Sequence, residues 1–125
     1  MTRRSVSTAV AGLVFGVAAS LLGAAGVAEA APSASPTATT VQARSNLRDA
    51  PNTSSRIWYT TPQELEAGVE CFKYGQYVKV GNYGTDVWYR GTVIDYDLGQ
   101  IFSNVWMWGG NVNVGADPAP GINPC

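Results

Sequence analysis

Between positions 41 and 125 apolar and polar residues alternate over short runs, and Gly, Pro, Asn or Asp interrupts the alternation every several positions. Side chains on a strand point to opposite faces with a period of two, so the pattern predicts half-buried strands, and helical periodicity is almost absent. The strands expected are 39–43, 56–60, 69–73, 77–80, 87–90 and 105–108. In the segment 71–90 Tyr77 and Lys79 alternate with Val78 and Val80, and Gly75, Gly81 and Gly84 punctuate the run, which predicts a tight hairpin system. Gly75 and Gly84 are expected to supply positive φ in the reversals, and Pro51 beside Asn52 presets a turn after a strand. Residues 62–68, a Pro followed by acidic residues, suit one helical turn. From Gly115 the chain, with Pro118, Pro120 and Pro124, reads as an extended arm. An all-β barrel or sandwich follows.

The N-terminal residues have a different pattern. Arg3 and Arg4 precede an uncharged run rich in Ala, Val, Leu and Gly, which ends at Ala28-Glu29-Ala30, a small-x-small cleavage pattern. Residues 1–30 are therefore read as a secretory signal peptide. A permanent membrane helix is the competing reading, and the Gly, Ala and Ser content and the cleavage pattern speak against it. The Arg pair hints at twin-arginine export, but the motif around it is incomplete and ordinary Sec export is expected. Residues 31–40 contain only Ala, Pro, Ser and Thr, cannot bury a core, and are expected to be a disordered lead-in to one domain at 41–125. The product is expected to be extracellular and monomeric, without a membrane association after cleavage.

Composition narrows the chemistry. The cysteines are Cys71 and Cys125, and in an oxidising compartment one bridge between them is expected; free thiols or an intermolecular bridge are the alternatives. A domain this small gains noticeably from such a staple. Cleavage would remove Arg3, Arg4 and Glu29, leaving six basic and eight acidic residues, a net charge near −2. With Arg44, Arg48, Arg56, Lys73, Lys79 and Arg90 spread along the chain, nucleic-acid binding is not expected.

The chain has no histidine, which removes Ser-His-Asp and Cys-His schemes, imidazole acid-base catalysis and the usual zinc sites. Neither a metal nor a cofactor is expected. Two carboxylate pairs remain, Asp95 with Asp97 and Glu64 with Glu66, but both fall in turn-like segments expected to be solvated. The run Asp95-Tyr96-Asp97-Leu98-Gly99 resembles the start of a calcium loop, yet Gln100 and Trp106 occupy its sixth and twelfth positions, so a hairpin tip is expected. The chain is expected not to be an enzyme.

Four blocks carry a family resemblance. Asn46, Leu47, Arg48, Pro51 and Thr53 form the first, Cys71, Gly75 and Val78 the second, Gly84, Thr85 and Trp88 the third, and Ser103, Asn104, Trp106, Met107 and Gly110 the last. Together they resemble the bacterial SH3-like domain of small secreted Gram-positive proteins. The resemblance implies a small SH3-like β-barrel with one disulfide, acting as a binding module for cell-wall peptide or peptidoglycan in an aromatic-lined groove. Departures are Ala50 where Gly usually precedes Pro51, and Glu64, Glu66 and Glu70 where an apolar strand is usual. An alternative role is a protein-interaction or inhibitor module acting on another secreted protein, suggested by that acidic segment.

Aromatic residues are the main binding resource. The cleaved chain would hold Trp58, Trp88, Trp106, Trp108, six tyrosines, Phe72 and Phe102, more than so small a core needs. Trp106 and Trp108 must share one strand face, with Val105 and Met107 on the other. The resemblance implies that Met107 faces inward and that Trp88 is core. Trp106 and Trp108 then form either an outward platform for a ligand or a satellite cluster under the arm around Pro118 and Pro120. Trp58, Tyr83, Tyr89 and Tyr96 are further candidates for the binding surface.

Overall fold

The computed structural model describes residues 35–125. The expected signal peptide and the start of the lead-in lie outside the described residues. Six strands form a single antiparallel sheet: β1 (Thr37–Val41), β2 (Asn46–Arg48), β3 (Ile57–Thr60), β4 (Leu65–Val80), β5 (Tyr83–Asp95) and β6 (Gln100–Trp108), in the order β1-β4-β5-β6-β2-β3. The sole helical segment among the described residues is a 3-10 turn at Gly109–Asn111.

The lead-in is shorter than its composition suggests. Thr37–Val41 is not disordered but pairs with β4, from Thr37 opposite Val69 to Val41 opposite Leu65. Threonines suit an extended edge, and a pairing partner supplies the backbone hydrogen bonds that a free Ala/Pro/Ser/Thr segment lacks. The helical turn expected at 62–68 is absent as well. There β4 begins, with Leu65, Ala67 and Val69 buried and Glu66 and Glu70 exposed, an alternation that outranks the helix-start signal of Pro62.

β4 and β5 are one long hairpin rather than two short pairs. Val80 faces Tyr83 across a two-residue turn, and Gly81 at φ 61° supplies its left-handed residue. Gly75 and Gly84 have no such role. A Cβ on Gly75 would lie 2.3 Å from the Pro51 carbonyl oxygen, so this glycine is required by close approach, while Gly84 lies under the Tyr77 ring.

Two irregularities in β4 decide which way its side chains face. The register shifts between Val69 and Cys71, so Phe72 joins the core opposite Tyr89, whereas Cys71 takes the outer face opposite Arg90. It shifts again between Tyr74 and Val78, where the 49–56 loop docks: Gln76 N–H donates to Pro51 O at 3.0 Å, and Thr53 N–H donates to Gln76 Oε1 at 2.8 Å.

The core lies on the inner face. Val41, Leu47, Leu65, Val69, Phe72, Val87, Tyr89, Val93, Val105 and Met107 meet there, and Val112, Ala119 and Ile122 of the C-terminal segment complete it. The bridge between Cys71 and Cys125 is present. β1 accompanies β4 only as far as Val69, and beyond it the arm takes over the vacated edge. Phe72 N–H donates to Asn123 O at 3.0 Å and Cys125 N–H donates to Phe72 O at 2.9 Å. The arm is thus held by main-chain pairing as well as by sulfur.

Candidate functional site

The outer face of the sheet carries the site, and cross-strand register assembles it. Trp106 on β6 stands between Arg48 on β2 and Arg90 on β5. Two residues along, Trp108 faces Trp88, and Trp88 faces Lys73 on β4. Because i and i+2 share a face, these two rows form one surface of rings and cations.

Two hollows open on it. One, of about 270 Å³, is lined by Arg44, Asn46, Arg48, Thr53, Val78, Val80, Trp88, Trp108 and Asn111. The other, of about 380 Å³, is lined by Phe72, Lys73, Tyr74, Arg90, Trp106, Pro124 and Cys125. The disulfide arm therefore walls the second hollow. No Asp or Glu side chain lines either one. Among the described residues one ion pair involves these cations, Arg90 Nε with Glu70 Oε1 at 3.6 Å, and this buried Nε has no hydrogen-bond partner.

Val105 and Met107 are buried in the core, and Trp106 and Trp108 lie on the opposite side of β6. The two rings differ in exposure. Trp106 is half-buried beside Pro124, whereas Trp108 is only 7% exposed, with Nε1 donating to Thr85 O at 3.0 Å. Gly110 leaves room for the Trp108 ring, since a Cβ there would lie 2.3 Å from it. A fully outward Trp pair is therefore not present; Trp106 is the accessible ring and Trp108 closes the base of the first hollow. Trp88 is 1% exposed, yet it stands apart from the core cluster, held by Nε1–H to Gln76 O at 2.8 Å.

The remaining aromatic candidates are not brought together. Trp58, on edge strand β3, stacks under the Arg56 guanidinium at 3.8 Å and donates to Asp49 Oδ1 at 3.3 Å. Tyr96, 72% exposed, sits in the β5–β6 turn and donates to Glu66 Oε1 at 2.6 Å. Tyr83 is exposed and tilts against Trp108, with its hydroxyl on Asp117.

Tyr89 is fully buried and offers a ligand no surface. Its hydroxyl donates to Asp117 Oδ1 at 2.7 Å and accepts Ala119 N–H at 3.0 Å, which fastens the C-terminal segment to the core. Burial and then the hydrogen bond to Asp117 push this phenol's pKa well above the ordinary value near 10. A raised folded-state pKa means that the neutral phenol's contribution is complete below about pH 10 and fades as the pH rises through the folded value. Alkaline unfolding is therefore expected to be shallower in Tyr89→Phe, and at neutral pH this change is expected to cost about 1–3 kcal/mol by leaving Ala119 N–H and Asp117 Oδ1 without this partner. Urea titrations at pH 7 and pH 11 measure both.

The carboxylates are committed to structure. Asp95 is not solvated but buried, accepting Tyr59 O–H at 2.6 Å and the N–H groups of Asp97 and Leu98 at 3.1 and 3.3 Å. This is the hairpin-tip role expected of it, and it also raises the Tyr59 pKa through the shared hydrogen bond. Glu64 accepts Thr40 O–H at 2.6 Å, and Asp97 accepts Gln63 N–H at 3.0 Å.

Arg44, Arg48, Lys73 and Arg90 were missed as site residues because they are dispersed along the chain. The available signal was parity: Arg48, Lys73, Trp88, Arg90, Trp106 and Trp108 are the outward members of their strands, but only the strand order makes them neighbours. Compared with known protein families, curated proteins and solved structures, the chain matches none.

Proposed function

We propose that this chain is a secreted, non-catalytic binding module built on a small SH3-like β-barrel, with cell-wall peptide or peptidoglycan as its ligand. The barrel reading is supported by the return of residues 111–113 to β1: Val41 bridges Val112, Gln42 N–H donates to Asn111 O at 2.8 Å and Asn113 N–H donates to Thr40 O at 3.0 Å. This pairing brings the chain leaving β6 back to the first strand of the sheet.

The observation that carries the binding reading is the Arg48–Trp106–Arg90 row beside two hollows. A half-buried Trp flanked by guanidiniums offers a large contact area at low entropy cost together with directional donors, the combination that dominates many recognition surfaces. The test is sedimentation with insoluble wall sacculi. Wild-type protein is expected to pellet with them, and Trp106→Ala is expected to weaken retention about tenfold or more, in line with the loss of a central aromatic contact. Protein wholly in the supernatant would overturn the reading.

The second reading, an interaction or inhibitor module for another secreted protein, is favoured by the exposed residues Glu66 and Glu70 on β4 and Glu64 just before it. A stoichiometric partner captured from culture medium, and lost with Glu66→Gln and Glu70→Gln, is its expected signature.

A further inference from the structure

We infer that the ligand of the outer face is an acidic peptide of about four extended residues, with carboxylates near both ends and small apolar side chains between. The inference rests on the binding reading above and adds the charge and length of what is bound.

Charge complementarity carries it. Of the six cationic side chains in residues 35–125, four line the two hollows: Arg44 and Arg48 the first, Lys73 and Arg90 the second. The domain has eight Asp and Glu side chains and a net negative charge, yet none of the eight lines either hollow. Glu70, beside Arg90 at 3.6 Å, is the one carboxylate in ion-pair range of these four cations. Arg90 Nε is buried without a hydrogen-bond partner, and Arg48 spends one N–H on Ser55 O at 2.8 Å and keeps the rest of its fork free for a planar anion.

The spacing defines the length. From Arg48 on β2 to Lys73 on β4 the face crosses three strand intervals, β2–β6, β6–β5 and β5–β4. At about 4.8 Å each this is about 14 Å, the reach of about four extended residues. Between Arg48 and Arg90 lies the Trp106 ring, and Val78 and Val80 form an apolar wall of the first hollow; both suit aliphatic side chains. A long polyanion suits the face less well, because the rest of the domain, rich in carboxylates, would repel its continuation.

Two measurements test the proposal. Sacculi whose free carboxyls have been converted to amides are compared with untreated sacculi, and the tetrapeptide acetyl-Glu-Ala-Ala-Asp is compared with its Gln/Asn amide counterpart by tryptophan fluorescence. Amidation is expected to weaken both interactions at least tenfold, and raised salt is expected to weaken the acidic forms only. The paired change Arg48→Gln, Arg90→Gln is expected to abolish the preference for the acid forms. Arg44→Gln with Lys73→Gln, whose side chains are exposed, keeps the test open if the first variant fails to fold, and is expected to reduce the preference at least threefold. Equal binding of acid and amide forms would overturn the inference while retention on sacculi left the function reading standing. Tighter binding of an oligothymidylate than of the tetrapeptide, or no binding of either tetrapeptide, would also overturn it.

Discussion

Trp88→Ala is expected to lower the unfolding free energy by about 3–5 kcal/mol, the range for removing a large buried aromatic. The ring is 1% exposed and lies outside the core cluster, so its loss would strip one specific junction rather than thin the interior. That junction joins β5 to the β4 irregularity and to the 49–56 loop. Trp88 Nε1–H holds Gln76 O, Gln76 N–H holds Pro51 O, and Gly75 lets Pro51 approach. Removing the ring empties the space beneath these contacts and leaves Gln76 O without its partner. For a domain of this size each kcal/mol corresponds to about 4–8 °C in Tm, so a loss of ten degrees or more is expected in thermal unfolding. Trp88→Phe, which keeps most of the volume but not the donor, is expected to recover more than half of the loss. A Tm unchanged within two degrees in Trp88→Ala would show that the loop docks without the ring.

Cys125→Ser is expected to cost about 4 kcal/mol, the chain-entropy value for a closed loop of this length, within the range of about 2–5 kcal/mol seen when native disulfides are removed. The bridge spans a sequence separation of 54 and encloses β5, β6 and the whole C-terminal segment. Cys125 also walls the hollow beside Trp106, so the same change is expected to loosen that site and reduce retention on sacculi. The two main-chain hydrogen bonds at Phe72 and the Ala119 bond to Tyr89 remain in the variant. The arm should therefore fray from its end instead of detaching as a unit. Comparing urea midpoints of Cys125→Ser with those of wild-type protein, oxidised and reduced, checks this: the reduced wild type and the variant should coincide. An unchanged midpoint on reduction would mean that the arm's hydrogen bonds hold it unaided.

Much of the fold was legible because strand formation is a local property. The alternation in 77–80, 87–90 and 105–108 lies within observed strands, and Val105 and Met107 face inward as the period of two and the resemblance imply. The Cys71–Cys125 pairing followed from arithmetic, and the hairpin-tip role of Asp95 from turn chemistry. The errors share one cause. At 37–40 local composition suggests disorder and at 62–68 a helical turn, but 37–41 and 65–69 pair with each other as strands, and pairing outweighs weak local preference. Gly75 was assigned a positive φ when its true constraint is a backbone from a distant loop.

The candidate site was legible only in part. Parity set Trp106 opposite Met107 and the resemblance turned that face outward, while the burial of Trp108 and Tyr89 depends on Gly110, Asp117 and Ala119, which the chain brings back from farther along. The gathering of Arg48, Lys73 and Arg90 around the tryptophans required a strand order in which β2 lies against β6.

Residue types and their two-residue rhythm were enough to determine an all-β chain, Val105 and Met107 on one face of their strand with Trp106 and Trp108 on the other, one possible disulfide and no imidazole chemistry. Strand order, the two shifts in β4 and the docking of the arm were decided by tertiary packing. The physical reason is range: facing along a strand is set by neighbours two positions away, whereas adjacency across a sheet is set by which distant surfaces can be buried together.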